Sequence, residues 1–231
     1  MSDVEALNDR LATEHPINDY YSRSAWPIRF IERERLSIIR RMMGAAAGLD
    51  IAEVGSGGGH VLRMFPDAQL TAIDVSNVFL ETARQNLRGY NARFIKGELT
   101  KLDLPAASFD GVICTEVLEH TQDPSAILAE IRRILKPSGT AVITVPNDPL
   151  ILTLKQIVRH SPVGWALKNK VSWGGDEYHI HVWKPAEFEA LLSPYFEVIE
   201  RASAPHNRLP IRACFRCVPT TMDTGKPNRA R

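Results

Sequence analysis

Apolar and polar residues follow two different spacings along this chain, and the two spacings alternate. Short apolar runs predict seven strands, at 49–54, 69–75, 92–96, 109–115, 140–145, 196–201 and 211–218. Between them, apolar residues three and four apart predict helices at 28–43, 60–65, 77–87, from 124 to the residues before Pro137, and at 185–192. Strands that alternate with helices predict an α/β fold with a mostly parallel sheet, covered by helices on both faces.

One segment breaks this alternation. Residues 147–183 are too many for a plain connection and carry helical patterns of their own. The segment follows the fifth predicted strand, so we expect it to lie above the sheet edge where ligands bind in such folds.

Composition and charge exclude several classes of protein. The 231 residues have a formal net charge of +1, which gives no global reason to expect nucleic acid as a partner. No apolar run approaches the ~20 residues of a membrane helix, and no signal peptide is recognised, so we expect a cytoplasmic protein without stable membrane insertion. Three cysteines argue against a disulfide framework, and Cys214 and Cys217 alone are weak evidence for zinc.

The chemistry begins at a glycine-rich turn after the first predicted strand. Gly55 and 57–59 place four glycines within five positions, which lets backbone approach a nucleotide-like cofactor closely. Glu53 precedes the turn, and Asp74 ends the second strand, where a carboxylate can accept both ribose hydroxyls. His60 stands where a dinucleotide-binding fingerprint has Gly or Ala, which disfavours a nicotinamide-dependent oxidoreductase.

The chain resembles the class I S-adenosylmethionine-dependent methyltransferases, in particular the branch with the ubiquinone-biosynthesis O-methyltransferases. The motifs that carry the resemblance are EVGSGGG, IDVS, FDGVICTEVLEHTQDP, ILAEIRRILKPSGTAVITVPN and, more weakly, HIHVWKPAEFEALL. The resemblance covers 49–146 closely and 179–200 loosely. It implies a Rossmann-like doubly wound sheet of seven strands, with S-adenosyl-L-methionine as the cofactor.

The resemblance also implies roles for individual residues. The cofactor-binding residues would be Glu53, Gly55, Ser56, Gly57, Asp74, Val75, Glu98, Leu99 and Thr115. Asp74 would hold the ribose, and Glu98 with the Leu99 backbone would read the adenine. Gly55, Gly57 and the Ser56 backbone would surround the methionine part, with Thr115 beside it, and Glu53 would orient the loop or receive the cofactor ammonium indirectly. From the chemistry of transfer we predict His120, His179 and Glu116 as catalytic residues, with Glu119 and His181 as further candidate bases. A base is needed only if the acceptor loses a proton at or before transfer.

Three of these side chains belong to the motif E-x-x-E-H. Its spacing predicts that Glu116, Glu119 and His120 share one side of a helical turn. With His179 or His181 the set could hold a divalent cation; otherwise His120 orients the acceptor or acts as a base, or the motif fixes its loop. The sequence leads us to assign no metal ligand.

The domain organisation follows from these assignments. Residues 1–218 are expected to form one methyltransferase domain, with a helical cap at 1–48, a cofactor-binding core at 49–146 and an acceptor lid at 147–183. Residues 219–231 are expected to be a disordered tail.

The prediction is a methyltransferase that acts on O or N of a small acceptor, which the apolar insertion suggests is aromatic or lipid-like. Alternatives are a nucleic-acid (RNA-end) methyltransferase and a non-catalytic cofactor-binding protein on the same fold. The oligomeric state is not predicted.

Overall fold

The structure is a computed structural model that describes residues 9–10, 13, 24–161 and 179–220. We label five helices, α1 (Trp26–Met43), α2 (Asn77–Asn86), α3 (Pro124–Ile134), α4 (Asp148–Arg159) and α5 (Pro185–Leu192). The strands are β1 (Asp50–Val54), β2 (Gln69–Asp74), β3 (Ala92–Lys96), β4 (Phe109–Thr115), β5 (Leu135–Pro146), β6 (Phe196–His206) and β7 (Leu209–Pro219).

The seven strands form one sheet in the order β3-β2-β1-β4-β5-β7-β6. Strands β1 to β5 pair in parallel, whereas β7 runs antiparallel to both β5 and β6. The direction in which strands are added reverses between β1 and β4. In open α/β sheets a ligand crevice forms at that point, outside the carboxyl ends of the strands. The predicted fold class is confirmed.

Two hydrophobic clusters cover the two faces of the sheet, which explains why the apolar runs in the strands are nearly continuous. Helices α3 and α5 pack on one face, through fully buried residues such as Leu128, Ile131 and Phe188. Helices α1 and α2 pack on the other, through Ile39 and Leu80 among others. Both faces are therefore closed to solvent, and a ligand has access at the strand ends.

The segment 60–65, predicted to be a helix, contains only a single 3-10 turn, Leu62–Met64. Pro66 follows so soon after the glycine turn that the segment is too short to sustain an α-helix. The glycine turn is therefore followed by a 3-10 turn and irregular backbone rather than by an α-helix.

The predicted insertion at 147–183 begins with α4, whose side chains beyond Asp148 are partly or fully exposed. Residues 162–178 of this insertion and most of 1–23 lie outside the described residues, as does the tail from 221. Strand β7 continues through Pro219, the first residue of the predicted tail. Among the described helices, none combines the length and apolar composition required to cross a bilayer.

The two cysteines of the C-x-x-C pair lie in β7 but pack into different clusters, on opposite faces of the sheet. Burial raises the pKa of both the Cys214 and Cys217 thiols to about 12, so both are protonated. The two sulfur atoms lie on opposite faces of the sheet, so they cannot ligate one zinc ion together.

Candidate functional site

The glycine turn lies at the carboxyl end of β1, in the crevice between β1 and β4. The backbone N–H groups of Gly55 and Ser56 both donate to the Ile73 carbonyl, at 2.8 and 3.0 Å, which folds the turn back over β2. Gly55 has a φ of +69°, and a Cβ at this position would overlap the side chain of Val117. Glycine is required there by conformation and by space at once.

Asp74 connects this turn to the end of β2. Its Oδ2 accepts a hydrogen bond from the Gly57 N–H at 2.8 Å, and its Oδ1 accepts one from the Ser76 N–H at 2.9 Å. Burial raises the pKa of Asp74 above its ordinary value, and the N–H donors of Ser76, Gly57 and Val75 oppose that rise. Three N–H donors occupy three of the four lone pairs of this carboxylate, which leaves one lone pair for a ligand hydroxyl.

Two buried oxygens without partners face the same crevice from β1 and the turn. Within the described structure, Glu53 Oε2 and Ser56 Oγ have no hydrogen-bond partner, although both residues are at most 5% exposed. Burial raises the pKa of Glu53 well above its usual range, and the charge of Arg35 on α1 counteracts this. Buried polar atoms without partners require an explanation, such as a bound ligand, an ordered water molecule or stored strain.

Four side chains of alternating charge connect α1 with the carboxyl end of β4: Arg35, Glu32, Arg212 and Glu116. Arg35 donates to Glu32 from both Nε and Nη2, each at 2.8 Å. Arg212 on β7 lies beyond Glu32, with its Nε 3.7 Å from Glu32 Oε1 and 3.1 Å from Glu116 Oε2. Glu116 in turn accepts a hydrogen bond from the Thr144 hydroxyl at 2.8 Å. Residues from the first helix and the last strand thus meet at the carboxyl end of β4.

The remaining predicted cofactor residues follow the same edge of the sheet. Thr115 is buried at the end of β4, and Val75 follows Asp74 half-buried. Glu98 and Leu99 come after β3, with Leu99 buried and the Glu98 carboxylate 2.8 Å from the exposed Lys101 ammonium. All the predicted cofactor-binding residues therefore lie along one edge of the sheet, at or just beyond the carboxyl ends of β1 to β4.

The predicted geometry of the E-x-x-E-H motif is wrong in one respect. A 3-10 turn covers only Leu118–His120, and Glu116 has a left-handed φ of +54° before that turn. Its carboxylate is bound by Thr144 and Arg212, so Glu116 does not share one helical side with Glu119 and His120. A non-glycine residue with positive φ is uncommon and is tolerated where surrounding contacts hold it.

Glu119 and His120 are joined instead by His179, near the end of the insertion 147–183. One potential ligand atom from each of the three lies within 4.8 Å of the others, a set that could hold a metal ion. The His120 and His179 rings meet edge to face with centroids 4.8 Å apart. Both Glu119 oxygens are buried without a hydrogen-bond partner in the described structure. Burial raises the pKa of Glu119 well above its usual range, and the charge of Glu116 raises it further.

The other candidate base, His181, has a different environment. Its Nε2 lies 3.0 Å from the Thr121 carbonyl oxygen, and its ring stacks on Trp183. The backbone N–H groups of Ile180 and His181 both donate to the Glu119 carbonyl, at 2.8 and 3.2 Å. These contacts attach the returning chain to the loop after β4 and leave the His181 ring bound to the backbone of that loop.

Four residues at the site were missed by sequence reasoning: Glu32, Arg35, Asp148 and Arg212. Glu32 and Arg35 occupy the buried face of α1 in phase with Ile39, but as charged residues they do not add to a hydrophobic stripe. An acid and a base three residues apart on the same helix face, just before Ile39, are the sequence pattern that could have indicated this ion pair. Asp148 begins α4 ahead of Pro149, a local helix-start pattern that hides its distant contact. Arg212 carried no recognisable signal.

Comparison with known proteins agrees with this geometry. A family model described as a methyltransferase domain matches residues 52–143. The ubiquinone biosynthesis O-methyltransferase of Idiomarina loihiensis is 32% identical over 168 residues, which cover 70% of this chain and 66% of that protein. The enzyme of the same name from Xanthomonas oryzae pv. oryzae is 32% identical over 172 residues, covering 72% and 69%. The matched region thus spans about two thirds of each relative's length.

Among solved structures, the magnesium protoporphyrin IX methyltransferase from Synechocystis PCC 6803, with bound S-adenosylhomocysteine, superposes with a TM-score of 0.69. It is 17% identical, and the match covers 93% of this chain and 99% of that one. At that identity the likeness shows a shared fold. Together with the family model and the two sequence relatives, it establishes that this chain belongs to the class I S-adenosylmethionine-dependent methyltransferases, enzymes that use S-adenosyl-L-methionine as the methyl donor.

Proposed function

We propose that this enzyme transfers the methyl group to a hydroxyl of a small phenolic acceptor. The observation that carries the proposal is the group of Glu119, His120 and His179 at the carboxyl end of β4, next to Thr115. A phenol must lose its proton at or before transfer, and an imidazole with a free lone pair can take it. The names of the two sequence relatives, both O-methyltransferases, support the same choice.

The cofactor would lie across the carboxyl ends of β1, β2 and β4. We assign the ribose to Asp74 and the adenine to Glu98 and Leu99. The methionine end belongs to Glu53, Gly55, Ser56, Gly57 and Thr115, with Val75 lining the path between the two parts. The unpartnered oxygens of Glu53 and Ser56 support this placement, since the cofactor ammonium can donate to both. Arg35 would balance the carboxylate charge at the same end.

Methyl transfer is an in-line displacement at a sulfonium, and positioning supplies much of its rate. The acceptor oxygen attacks the methyl carbon as the carbon–sulfur bond breaks, which leaves S-adenosylhomocysteine and a methyl ether. The acceptor proton passes to His179, with His120 against its ring edge. Glu116 stays with Arg212 and acts by holding the loop, so of the three predicted catalytic residues it is the one we place furthest from the reacting atoms. The segment 147–183 would cover the acceptor.

Transfer of tritium from labelled S-adenosylmethionine to a pair of matched acceptors tests the proposal. We expect label in a 4-alkylcatechol and none in the 4-alkylaniline of equal chain length. His179→Gln should lower kcat about 100-fold or more, the range of a lost general base. Label in the aniline but not in the catechol would contradict hydroxyl methylation.

The cofactor assignment needs its own test, which does not involve an acceptor. Asp74→Asn should raise the Kd of S-adenosylmethionine about 10- to 100-fold, because a charge-assisted hydrogen bond contributes about 1.5–3 kcal/mol. Calorimetric titration measures this, with the exposed Asp67→Asn as the matched control that should bind like the wild type. Unchanged binding by Asp74→Asn would remove the ribose role.

A further inference from the structure

We propose that Asp148 is a positioning residue for this reaction: it holds the His179 ring so that the Nε2 lone pair is directed to the acceptor. The inference rests on the proposed role of His179. Asp148 Oδ2 lies 2.9 Å from His179 Nδ1, and the two residues are 31 positions apart in the chain. A carboxylate can only accept, so Nδ1 is the nitrogen that carries the proton, and in the neutral ring Nε2 is left as the acceptor.

The backbone that carries Asp148 is anchored to the sheet at the start of the exposed helix α4. Asn147, directly before it, donates its backbone N–H to the Ile211 carbonyl and its Nδ2 to the Pro210 carbonyl, both at 3.0 Å. Asp148 itself is 1% exposed. A functional side chain held on a rigid element in this way keeps its orientation more accurately than one held by a loop.

The His179 backbone is fixed by a different part of the chain. The two residues that follow it donate their N–H groups to the Glu119 carbonyl, and the His181 ring contacts the Thr121 carbonyl. These bonds place the His179 backbone, but they do not act on its ring. The hydrogen bond to Asp148 does act on the ring, and it sets both the rotation of the imidazole and its tautomer.

The other oxygen of Asp148 indicates that the contact serves more than packing. Asp148 Oδ1 is buried without a hydrogen-bond partner in the described structure, so half of this carboxylate is desolvated without compensation. A residue that contributed only to stability would be expected to satisfy both oxygens, since each unpaired buried acceptor costs about 1–3 kcal/mol. The arrangement is understandable if the carboxylate is kept for the imidazole.

The experiment reads the tautomer of His179 directly. Two-bond proton–nitrogen correlation spectra of protein labelled with ¹⁵N-histidine distinguish Nδ1–H from Nε2–H, and His179→Gln assigns the signal. We expect Nδ1–H in the wild type and in Asp67→Asn. Asp148→Ala should shift the signal to Nε2–H or to an average of both tautomers. Persistence of pure Nδ1–H in Asp148→Ala would overturn the proposal.

Kinetics with the 4-alkylcatechol supply the second measurement. Asp148→Ala should lower kcat about 10- to 100-fold, the usual effect of removing a carboxylate behind a functional histidine. The Kd of S-adenosylmethionine should stay within about twofold of the wild-type value, because the cofactor site is separate. A fold defect would instead change cofactor affinity and the melting temperature as well. An unchanged kcat in a variant with altered tautomer would also overturn the proposal.

The two measurements separate this inference from the proposed function. If the wild type transfers no methyl group to the catechol, the proposed acceptor is wrong. The tautomer of His179 in Asp148→Ala still decides whether Asp148 holds the ring.

Discussion

Arg212 Nε lies 3.1 Å from Glu116 Oε2, so a residue of the last strand is paired with the first residue of the E-x-x-E-H motif. Both side chains are about one-fifth exposed, and Glu32 shares the same guanidinium. This pair, with the Thr144 hydroxyl, holds the carboxylate of Glu116, whose backbone is in the left-handed region. The motif is therefore divided: Glu116 is held by Arg212 and Thr144, whereas Glu119 and His120 lie with His179.

Loss of this pair should destabilise the fold. Arg212→Met leaves Glu116 and Glu32 without their shared cation, and we expect it to lower the free energy of unfolding by about 2 kcal/mol, less than for a fully buried pair. Urea denaturation measures the change. In the double variant with Glu116→Gln, part of that loss should be recovered. Arg201→Met, which breaks the exposed pair with Glu189, is the control and should cost less than about 1 kcal/mol. Equal losses in both variants would contradict the structural role.

Comparison of Gly55→Ala with Gly48→Ala separates the two requirements for glycine in the turn, a left-handed φ and space for a neighbouring side chain. The new Cβ has to adopt a left-handed φ and displace Val117, and we expect both lower stability and lost cofactor binding. Gly48→Ala is the control for conformation alone, because Gly48 has a φ of +74° and no atom within 4 Å of its added Cβ. It should cost about 1–2 kcal/mol and leave cofactor binding intact.

Adding Val117→Ala to Gly55→Ala should recover stability in part, since space is restored while the backbone cost persists. Thermal unfolding and calorimetric titration of S-adenosylmethionine measure both effects. If Gly55→Ala binds the cofactor as tightly as Gly48→Ala does, the close approach at this turn is not needed for binding.

His60 should make stability depend on acidity. Burial, together with the smaller effect of the Arg63 charge, lowers the pKa of His60 from 6.5 to about 4. The unfolded chain then binds a proton that the folded chain does not, so stability is lost as the pH falls from about 6.5 towards 4. His60→Gln removes this contribution, and its unfolding free energy should fall less steeply over that interval. Parallel curves for variant and wild type in urea unfolding would show that His60 titrates alike in both states.

Divalent cations should bind at Glu119. The two unpartnered oxygens of Glu119 and the nearby His120 imidazole form a donor set that suits Mn²⁺, and the burial cost of the carboxylate favours a cation there. We expect Mn²⁺ bound to the purified protein in electron paramagnetic resonance titrations, with a Kd raised about tenfold or more in Glu119→Gln. Glu98→Gln, at the other end of the crevice, should bind Mn²⁺ like the wild type. Equal affinity of both variants would exclude Glu119 as a ligand.

The parts of the molecule that the sequence predicts are those determined by neighbouring residues. The strands and the helices after Ser76 and Asp123 follow from local periodicity and capping, and Asp74 and the glycine turn follow from their place at strand ends. Glu32 and Arg212 could not be found in this way, because their partners are distant in the chain and their charge is typical of surface residues. His179 was proposed from the sequence, but its connection to Asp148 depends on how the chain returns after α4.

The span of the four side chains of alternating charge restricts how this enzyme can be recombined with its relatives. The region matched by the family model, 52–143, begins after α1 and ends before β7. Arg35 on α1 and Arg212 on β7, whose charges offset the carboxylates of this region, therefore come from outside it. A chimera that exchanges only that region would combine Glu53 and Glu116 with the first helix and last strand of another protein, whose basic residues match other carboxylates. Functional crossover points are therefore expected before α1 and after β7, and the cofactor module is not transferable on its own.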